Sequence, residues 1–289
     1  MKILVTGSNG QLGLCLQKWH QQEFHQHKFF FKDSSEFNLT DTSQMEEVFS
    51  EIKPDFCINA AAYTAVDKAE DEFEKAFAVN AYGVEALAII CKEFKTILIH
   101  VSTDYVFNGD TQLPYSEDDF TQPESQYGKS KLLGETLALD ENPKTIIIRT
   151  SWLYSEFNKN FVKTMLSLFQ QKDQLGIVND QFGQPTNAND LAETIMAIVN
   201  SPTHKYGVYH FSNYPETSWY LFAKKIAELS DSKIQINPIT TSEYPTPAKR
   251  PARSTFSLDK IETDYRIEIK YWENSLEDCL QTLALSKEK

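Results

Sequence analysis

The chain has 289 residues, 41% hydrophobic and 12% aromatic, which supports a packed core, excludes a disordered chain, and fits one large α/β unit or two modest domains. Its formal net charge of −13 speaks against a nucleic-acid surface, although a few local cations and backbone amides can still hold a phosphate. No apolar run is long enough to span a bilayer, so no membrane partner is expected.

The elements alternate in type. Lys2 to Thr6 reads as a strand, not as the longer apolar run and small-residue cleavage site of a secretion signal. A helical pattern follows from Gln11 to Gln22, then a strand at Lys28 to Lys32 and a helix at Thr42 to Ile52. Asp55 to Ala60 is a strand, Asp71 to Phe94 a long helical stretch, and Thr96 to Ser102 and Thr145 to Thr150 are buried-type strands with a helix near Ser130 to Ala138 between them. Strands separated by helices predict parallel βαβ units in a Rossmann-type, doubly wound sheet. After Tyr154 the pattern loosens, and Tyr244 to Pro251 is a proline-rich loop. A dinucleotide-binding domain is therefore expected over 1–153, with later segments returning to it, and a smaller, mainly substrate-binding α/β domain over 154–289. Cys15, Cys57, Cys91 and Cys279 lie far apart without metal-type spacing, as expected of reduced thiols in a cytoplasmic protein.

Thr6-Gly7-Ser8-Asn9-Gly10-Gln11-Leu12-Gly13 follows a strand and opens a helix, the context a phosphate-binding turn requires. Gly7 permits the tight turn, Gly10 lets backbone approach a pyrophosphate, and Gly13 lets the helix pack on the sheet. Cofactor choice falls to Lys32-Asp33 at the end of the second strand: an acid binds a ribose 2′-hydroxyl, and a cation accepts a 2′-phosphate. Asp33 favours NADH and Lys32 would accept NADPH, so both cofactors stay open.

Tyr127-Gly128-Lys129-Ser130-Lys131 spells Y-x-x-x-K, which puts both reactive side chains on one helix face. A nearby ammonium is expected to pull the tyrosine pKa down, so that the phenol can protonate a carbonyl oxygen as hydride arrives at carbon. A second match, Tyr220 to Lys224, reads as a core tyrosine with a surface lysine. Ser102-Thr103-Asp104-Tyr105 lies at the carboxyl end of a buried strand, where open α/β sheets bind ligands, and the Thr103 hydroxyl there can orient a substrate carbonyl. Small residues at Ala60 to Ala62 would let a nucleotide lie against the backbone. Asn80 reads either as an amide facing water or a backbone kink or as a satisfied buried amide, and His100 reads as a core histidine.

The G-x-x-G-x-x-G spacing resembles that of the extended short-chain dehydrogenase/reductase family. Thr6 to Gly13, Asn59 to Glu70 (N-A-A-A-Y-T-A-V-D-K-A-E), Ser102 to Phe107 and Tyr127 to Lys131 extend the resemblance to the dTDP-4-dehydrorhamnose reductases. Arg149 to Tyr154 (R-T-S-W-L-Y), Asn179 to Thr186 (N-D-Q-F-G-Q-P-T) and Tyr244 to Pro251 (Y-P-T-P-A-K-R-P) are specific to that group. The resemblance implies reduction of a sugar-nucleotide C4 ketone by NADPH or NADH, with Tyr127 as proton donor, Lys131 as its partner and ribose ligand, and Thr103 on the reacting oxygen. It further implies that Gly10, Gln11, Leu12, Asn38, Leu39, Ala62, Tyr63 and Thr64 line the dinucleotide. Asp104, Tyr105 and Trp152 would contact the sugar nucleotide, and Arg250 would pair its pyrophosphate. Some relatives dimerise through a magnesium ion held by glutamates; this chain has Cys15 and Asn189 at the matching positions, so no metal-bridged dimer is expected, and the oligomeric state, a homodimer without a bridging metal included, stays open. Two other readings share the fold. One is a sugar-nucleotide dehydratase or epimerase; a dehydratase, which must also eliminate water, would need a second carboxylate where Tyr105 stands. A non-catalytic dinucleotide binder would resemble the regulatory subunit of methionine adenosyltransferase.

Overall fold

The computed structural model describes residues 1–22 and 27–285; the last four residues of the expected second domain, 286–289, lie outside them. In chain order the first half comprises β1 (Lys2–Thr6), α1 (Gln11–Gln22), β2 (Lys28–Lys32), α2 (Thr42–Ile52), β3 (Phe56–Asn59), α3 (Phe73–Phe77), α4 (Gly83–Glu93), β4 (Ile97–Thr103), α5 (Gln126–Glu141) and β5 (Thr145–Thr150). The second half comprises β6 (Leu153–Tyr154), α6 (Phe161–Phe169), β7 (Gln174–Val178), β8 (Phe182–Gly183), β9 (Thr186–Asn187), α7 (Ala188–Asn200), β10 (Gly207–His210), β11 (Thr217–Ser218), α8 (Trp219–Leu229), β12 (Gln235–Ile239), α9 (Asp259–Tyr265) and α10 (Trp272–Leu285).

Six strands form one parallel sheet in the order β10-β5-β4-β3-β1-β2. Strands covered on both faces need unbroken apolar runs, and β1, β4 and β5 have them. Ile3, Val5, Ile99, Ile146 and Ile148 face one core with α1 and α7, whereas Leu4, Leu98 and Ile147 face the other with α2 and α4. The chain leaves β1 for β2 on one side and for β3 on the other, so the order reverses between β1 and β3. Ligands bind at the carboxyl ends of the strands flanking such a reversal.

The stretch 71–94 is not one regular helix. A π-turn at Ala78–Tyr82 separates α3 from α4. It carries Asn80, whose side chain accepts from Tyr63 N (2.8 Å) and donates to Tyr63 O (3.0 Å) and Ser130 Oγ (3.1 Å). That amide pins the loop after β3 to α5. Beyond β5, β10 returns to the large sheet and the other strands pair in twos: β7 with β12, β8 with β11 and β6 with β9. Their core is Tyr154, Val162, Met165, Phe222, Ile226, Trp272 and Leu276.

Candidate active site

The turn after β1 and the loop after β3 meet at the sheet's reversal. Gly7 has φ +67°, and a Cβ there would lie 2.7 Å from Ala61 N, so only glycine lets the two backbones touch. Gly10 N closes the turn on Gly7 O at 2.9 Å, and α1 begins one residue later with its first amides free of helical partners. A cavity of about 590 Å³ opens there. Its floor is Gly7, Gly10, Gln11 and Leu12, with Ala60–Ala62 and Thr64 on one side and Asp33 at one end. Thr103, Asp104, Tyr105, Tyr127, Lys131 and Trp152 border the other end. A backbone cradle, a helix N-terminus and a bordering row of alanines fit a nicotinamide dinucleotide.

At the adenosine end implied by that fit, Asp33 Oδ1 accepts from Ser35 Oγ (2.6 Å) and Ser35 N (2.9 Å), and Oδ2 accepts from Asn9 Nδ2 (2.8 Å). The Ser35 hydroxyl, foremost among these donors, holds the carboxyl below its ordinary range. Lys32 instead pairs with Glu36 at 2.9 Å and does not border the cavity.

Helix α5 starts where the Ser125 hydroxyl accepts from Gly128 N at 3.1 Å, two residues before Tyr127. Its close approach depends on two glycines. A Cβ on Gly128 would lie 2.2 Å from Tyr105 O, and one on Gly134 would lie 2.0 Å from Asn80 O. Tyr127 and Lys131 are both buried on the cavity side. The Tyr127 phenol and the Thr103 hydroxyl border the same cavity, and the Tyr127 ring meets that of Tyr105 edge-on at 5.5 Å.

The electrostatics correct one expectation. Burial pushes the Tyr127 phenol up to about 12, against the opposing Thr103 hydroxyl, rather than an ammonium pulling it down. Lys131 Nζ donates to Val101 O at 2.7 Å and lies 3.1 Å from His100 Nε2. Burial also brings Lys131 down to about 8, with Glu135 opposing. Desolvation is the largest cause for both members of the pair. Asp104 is likewise raised by burial, to about 6; its carboxyl accepts from Thr103 Oγ1 (3.1 Å) and from Ser254 Oγ (2.7 Å). One turn beyond Lys131, Glu135 forms a buried fork with Arg149 of β5 (2.7 Å) and accepts from Ser102, which ties α5 to β4 and β5.

Several sequence-predicted residues lie off this cavity. Gly13 packs against the Gly7 and Ser8 backbone. Asn38 is exposed and caps its own turn through Thr40, and Leu39 is buried in the core beneath Gly83. Tyr63 borders no part of the cavity either; its hydroxyl bonds Glu72 at 3.0 Å. Arg250 borders a second cavity of about 520 Å³ with Phe161, Met165, Leu168, Ile177, Trp219 and Tyr244, and forks onto Asp67 at 3.0 and 2.9 Å. Trp152, at φ +47°, stacks on Trp219 at 3.6 Å, so the two indoles stand between the cavities. The second Y-x-x-x-K lies on α8, where Lys224 covers the Tyr220 ring at 5.6 Å. Conversely, Asn158 and Lys159 border the first cavity, and Ser254 grips Asp104; no local motif marks any of the three.

At the position linked to a bridging metal in some relatives, Cys15 is buried, and burial raises its thiol pKa. Lys18 Nζ pairs with Glu156 at 2.6 Å and donates to Asn189 Oδ1 at 3.2 Å, and Asn189 Nδ2 donates back to Glu156 at 2.8 Å. Among the described residues no group of three or more His, Cys, Asp or Glu is placed to hold a metal ion, and no helix is long and apolar enough to cross a membrane.

The model of the RmlD substrate binding domain family matches residues 1–285. A dTDP-4-dehydrorhamnose reductase from Aggregatibacter actinomycetemcomitans is 42% identical, covering 96% of this chain and 97% of its own. The crystal structure of a dTDP-4-dehydrorhamnose reductase from Clostridium acetobutylicum superposes with TM-score 0.94 at 38% identity, over 98% of this chain and all of that one. One from Bacillus anthracis, in complex with NADP, superposes with TM-score 0.92 at 36% identity, over 97% of this chain and 99% of that one. By sequence over its full length and by backbone alike, this chain belongs to the dTDP-4-dehydrorhamnose reductase family.

Proposed function

We propose that this chain reduces the C4 ketone of dTDP-4-dehydro-6-deoxy-L-hexose to dTDP-L-rhamnose, using NADPH or NADH. The observation that carries the reading is that Tyr127 and Lys131, buried one helical turn apart, meet Thr103 in the cavity built on the glycine turn. The nicotinamide cofactor supplies the hydride to carbon. Thr103, turning its hydroxyl proton from Asp104 to the ketone oxygen, orients that oxygen. Tyr127 keeps its proton until negative charge develops on that oxygen and then delivers it; a phenol raised by burial is suited to be the acid in this direction. Lys131, one helical turn on, positions the cofactor ribose and returns a proton to the phenolate.

The sugar sits between Tyr105 and Trp152, and the nucleotide extends past the Trp152–Trp219 pair toward the apolar second cavity. Arg250 there offers a planar fork to a phosphate, with Asp67 holding it in place. The dehydratase reading is disfavoured because the Tyr105 ring, packed on Tyr127, stands where a second carboxylate would act.

Residues 1–153, with α7 and β10, form the dinucleotide half in this reading, and the rest of 154–289 forms the substrate half. The enzyme is read as cytoplasmic and, since Lys18 already neutralises Glu156, as able to form a homodimer without a bridging metal. Mixing the protein with NADPH or NADH and a dTDP-4-keto-6-deoxy sugar tests the activity. The absorbance of the reduced cofactor is expected to fall one-for-one with ketone; no consumption with any 4-keto sugar would leave a non-catalytic dinucleotide binder.

A further inference from the structure

Behind Lys131 runs a row of buried polar groups that the chemistry above does not use. It starts at the loop after β3. Ala61 N donates to Asn59 Oδ1 at 3.1 Å, and Thr6 Oγ1 donates to the same oxygen at 2.7 Å. A backbone N–H can only donate, so that atom must be the amide oxygen, and the orientation of the Asn59 side chain follows. Asn59 Nδ2 then faces His100 Nδ1 at 2.9 Å. An amide nitrogen also only donates, so Nδ1 must accept, and the ring proton of His100 belongs on Nε2. That nitrogen lies 3.1 Å from Lys131 Nζ, which itself donates to Val101 O at 2.7 Å. Thr6, Asn59, His100 and Lys131 are all essentially buried, so water does not rescue a mismatched donor.

An imidazolium would set two N–H groups face to face at Asn59. An ammonium on Lys131 would do the same at Nε2. We propose that His100 is a positioning residue for Lys131: by pointing its Nε2–H at the amine, it disfavours the ammonium form in the cofactor-free protein and so makes that lysine a ready proton carrier.

The groups facing the pair are few. On α5, Glu135 lies one turn ahead, paired to Arg149 of β5, and Tyr127 lies one turn behind. Asp104 stands at the end of β4. β1 and β3 contribute Thr6 and Asn59, which do not titrate. Burial lowers both Lys131, to about 8, and His100, and Lys131 in its charged form lowers His100 further.

The inference rests on the assignment of Tyr127 and Lys131 above, and gives the proton balance of a turnover. Tyr127 loses one proton to the new alkoxide, and one proton from solvent, taken up at the Lys131 amine, restores the phenol.

Ring-nitrogen NMR of cofactor-free protein carrying ¹⁵N-histidine tests this without turnover. The signal that vanishes in His100→Gln is expected to carry its proton on Nε2, with Nδ1 bare, and to stay neutral well below the pH at which an ordinary imidazole protonates. A proton on Nδ1, or an imidazolium, would overturn the proposal.

A nearly isosteric change supplies the second arm. Asn59→Asp places an acceptor opposite Nδ1 and reverses the row, so the midpoint of the Lys131 Nζ signal in ¹⁵N-lysine protein is expected to rise by about one unit or more. His100→Leu should raise it similarly, and His100→Gln, which keeps a donating nitrogen, should stay closer to the parent. An unmoved midpoint in Asn59→Asp, or equal effects of Leu and Gln, would leave His100 a packing residue. Failure of the sugar substrate to turn over would leave both spectra interpretable.

Discussion

The two cavities of this molecule are built in opposite ways. The first is walled by backbone turns and short polar groups and braced from behind by fixed pairs: Ser125 on Gly128, Asn80 on Tyr63, Ser254 on Asp104. The second is walled by Phe161, Met165, Leu168, Ile177 and Trp219, with one guanidinium at its edge. A site that moves a hydride and a proton needs its reacting groups held closely in place, which interlocked backbone and hydrogen bonds provide. A site that only holds part of a substrate needs area and a charge, which an apolar wall with a guanidinium at its edge provides. Changes in the first cavity should therefore act on rate and folding, and changes in the second on affinity.

The largest effect is expected from Tyr127→Phe, which removes one hydroxyl. kcat should fall about 10²- to 10⁴-fold while the cofactor Kd, followed by fluorescence titration, stays put. A near-parental kcat would break the distinction between the cavities. Next is Gly128→Ala. Its Cβ would run into Tyr105 O, so a loss of about 2–3 kcal/mol is expected by urea unfolding; a neutral result would mean that α5 is free to shift.

Asp104→Asn sharpens the electrostatic side. The folded protein raises this carboxyl from 3.8 to about 6, so between those values the folded state binds more protons than the unfolded one. Stability therefore falls as pH rises through that window and stays lower above it. The variant should be more stable than the parent at pH 8, by on the order of 2 kcal/mol, and the difference should vanish near pH 4. A constant difference across pH would contradict a buried, raised carboxyl. The smallest effect is expected in the second cavity. Arg250→Lys keeps the charge but loses the fork, so KM for the sugar nucleotide should rise about tenfold with little change in kcat. A fall in kcat instead would place Arg250 with the reacting groups.

The sheet half was legible because its signals are local. The apolar runs of β1, β4 and β5 mark buried strands, and the glycine turn and Tyr127–Lys131 are complete within a few residues. Helix α5 was legible only in part, from Ser130 to Ala138, because Gly128 and Gly134 dilute its apolar period for the sake of close contact. The π-turn at Asn80 interrupts a stretch that the sequence predicts as one helix, since its cause, the amide's grip on Tyr63, is tertiary. The second half gave little warning: strands of two residues, such as β6, β8, β9 and β11, are too short to show alternation. Arg250 and Ser254 reach their partners across about 150 or more positions of chain, and no local pattern encodes that. His100 was legible as buried, but not as part of a row, because the row needs β1, β3 and β4 side by side. Asn38 and Leu39, taken from the family resemblance, cap a turn and fill the core away from the first cavity.

The central claim is transfer of hydride to one particular carbon. It is tested most directly with cofactor deuterated at the transferring position of the nicotinamide, dTDP-4-dehydro-6-deoxy-L-hexose, and NMR of the product. The account predicts one deuterium at C4 of the sugar for each cofactor oxidised, lost together with turnover in Tyr127→Phe. Deuterium at any other carbon, or a deuterated product formed at the parental rate without the Tyr127 hydroxyl, would contradict it.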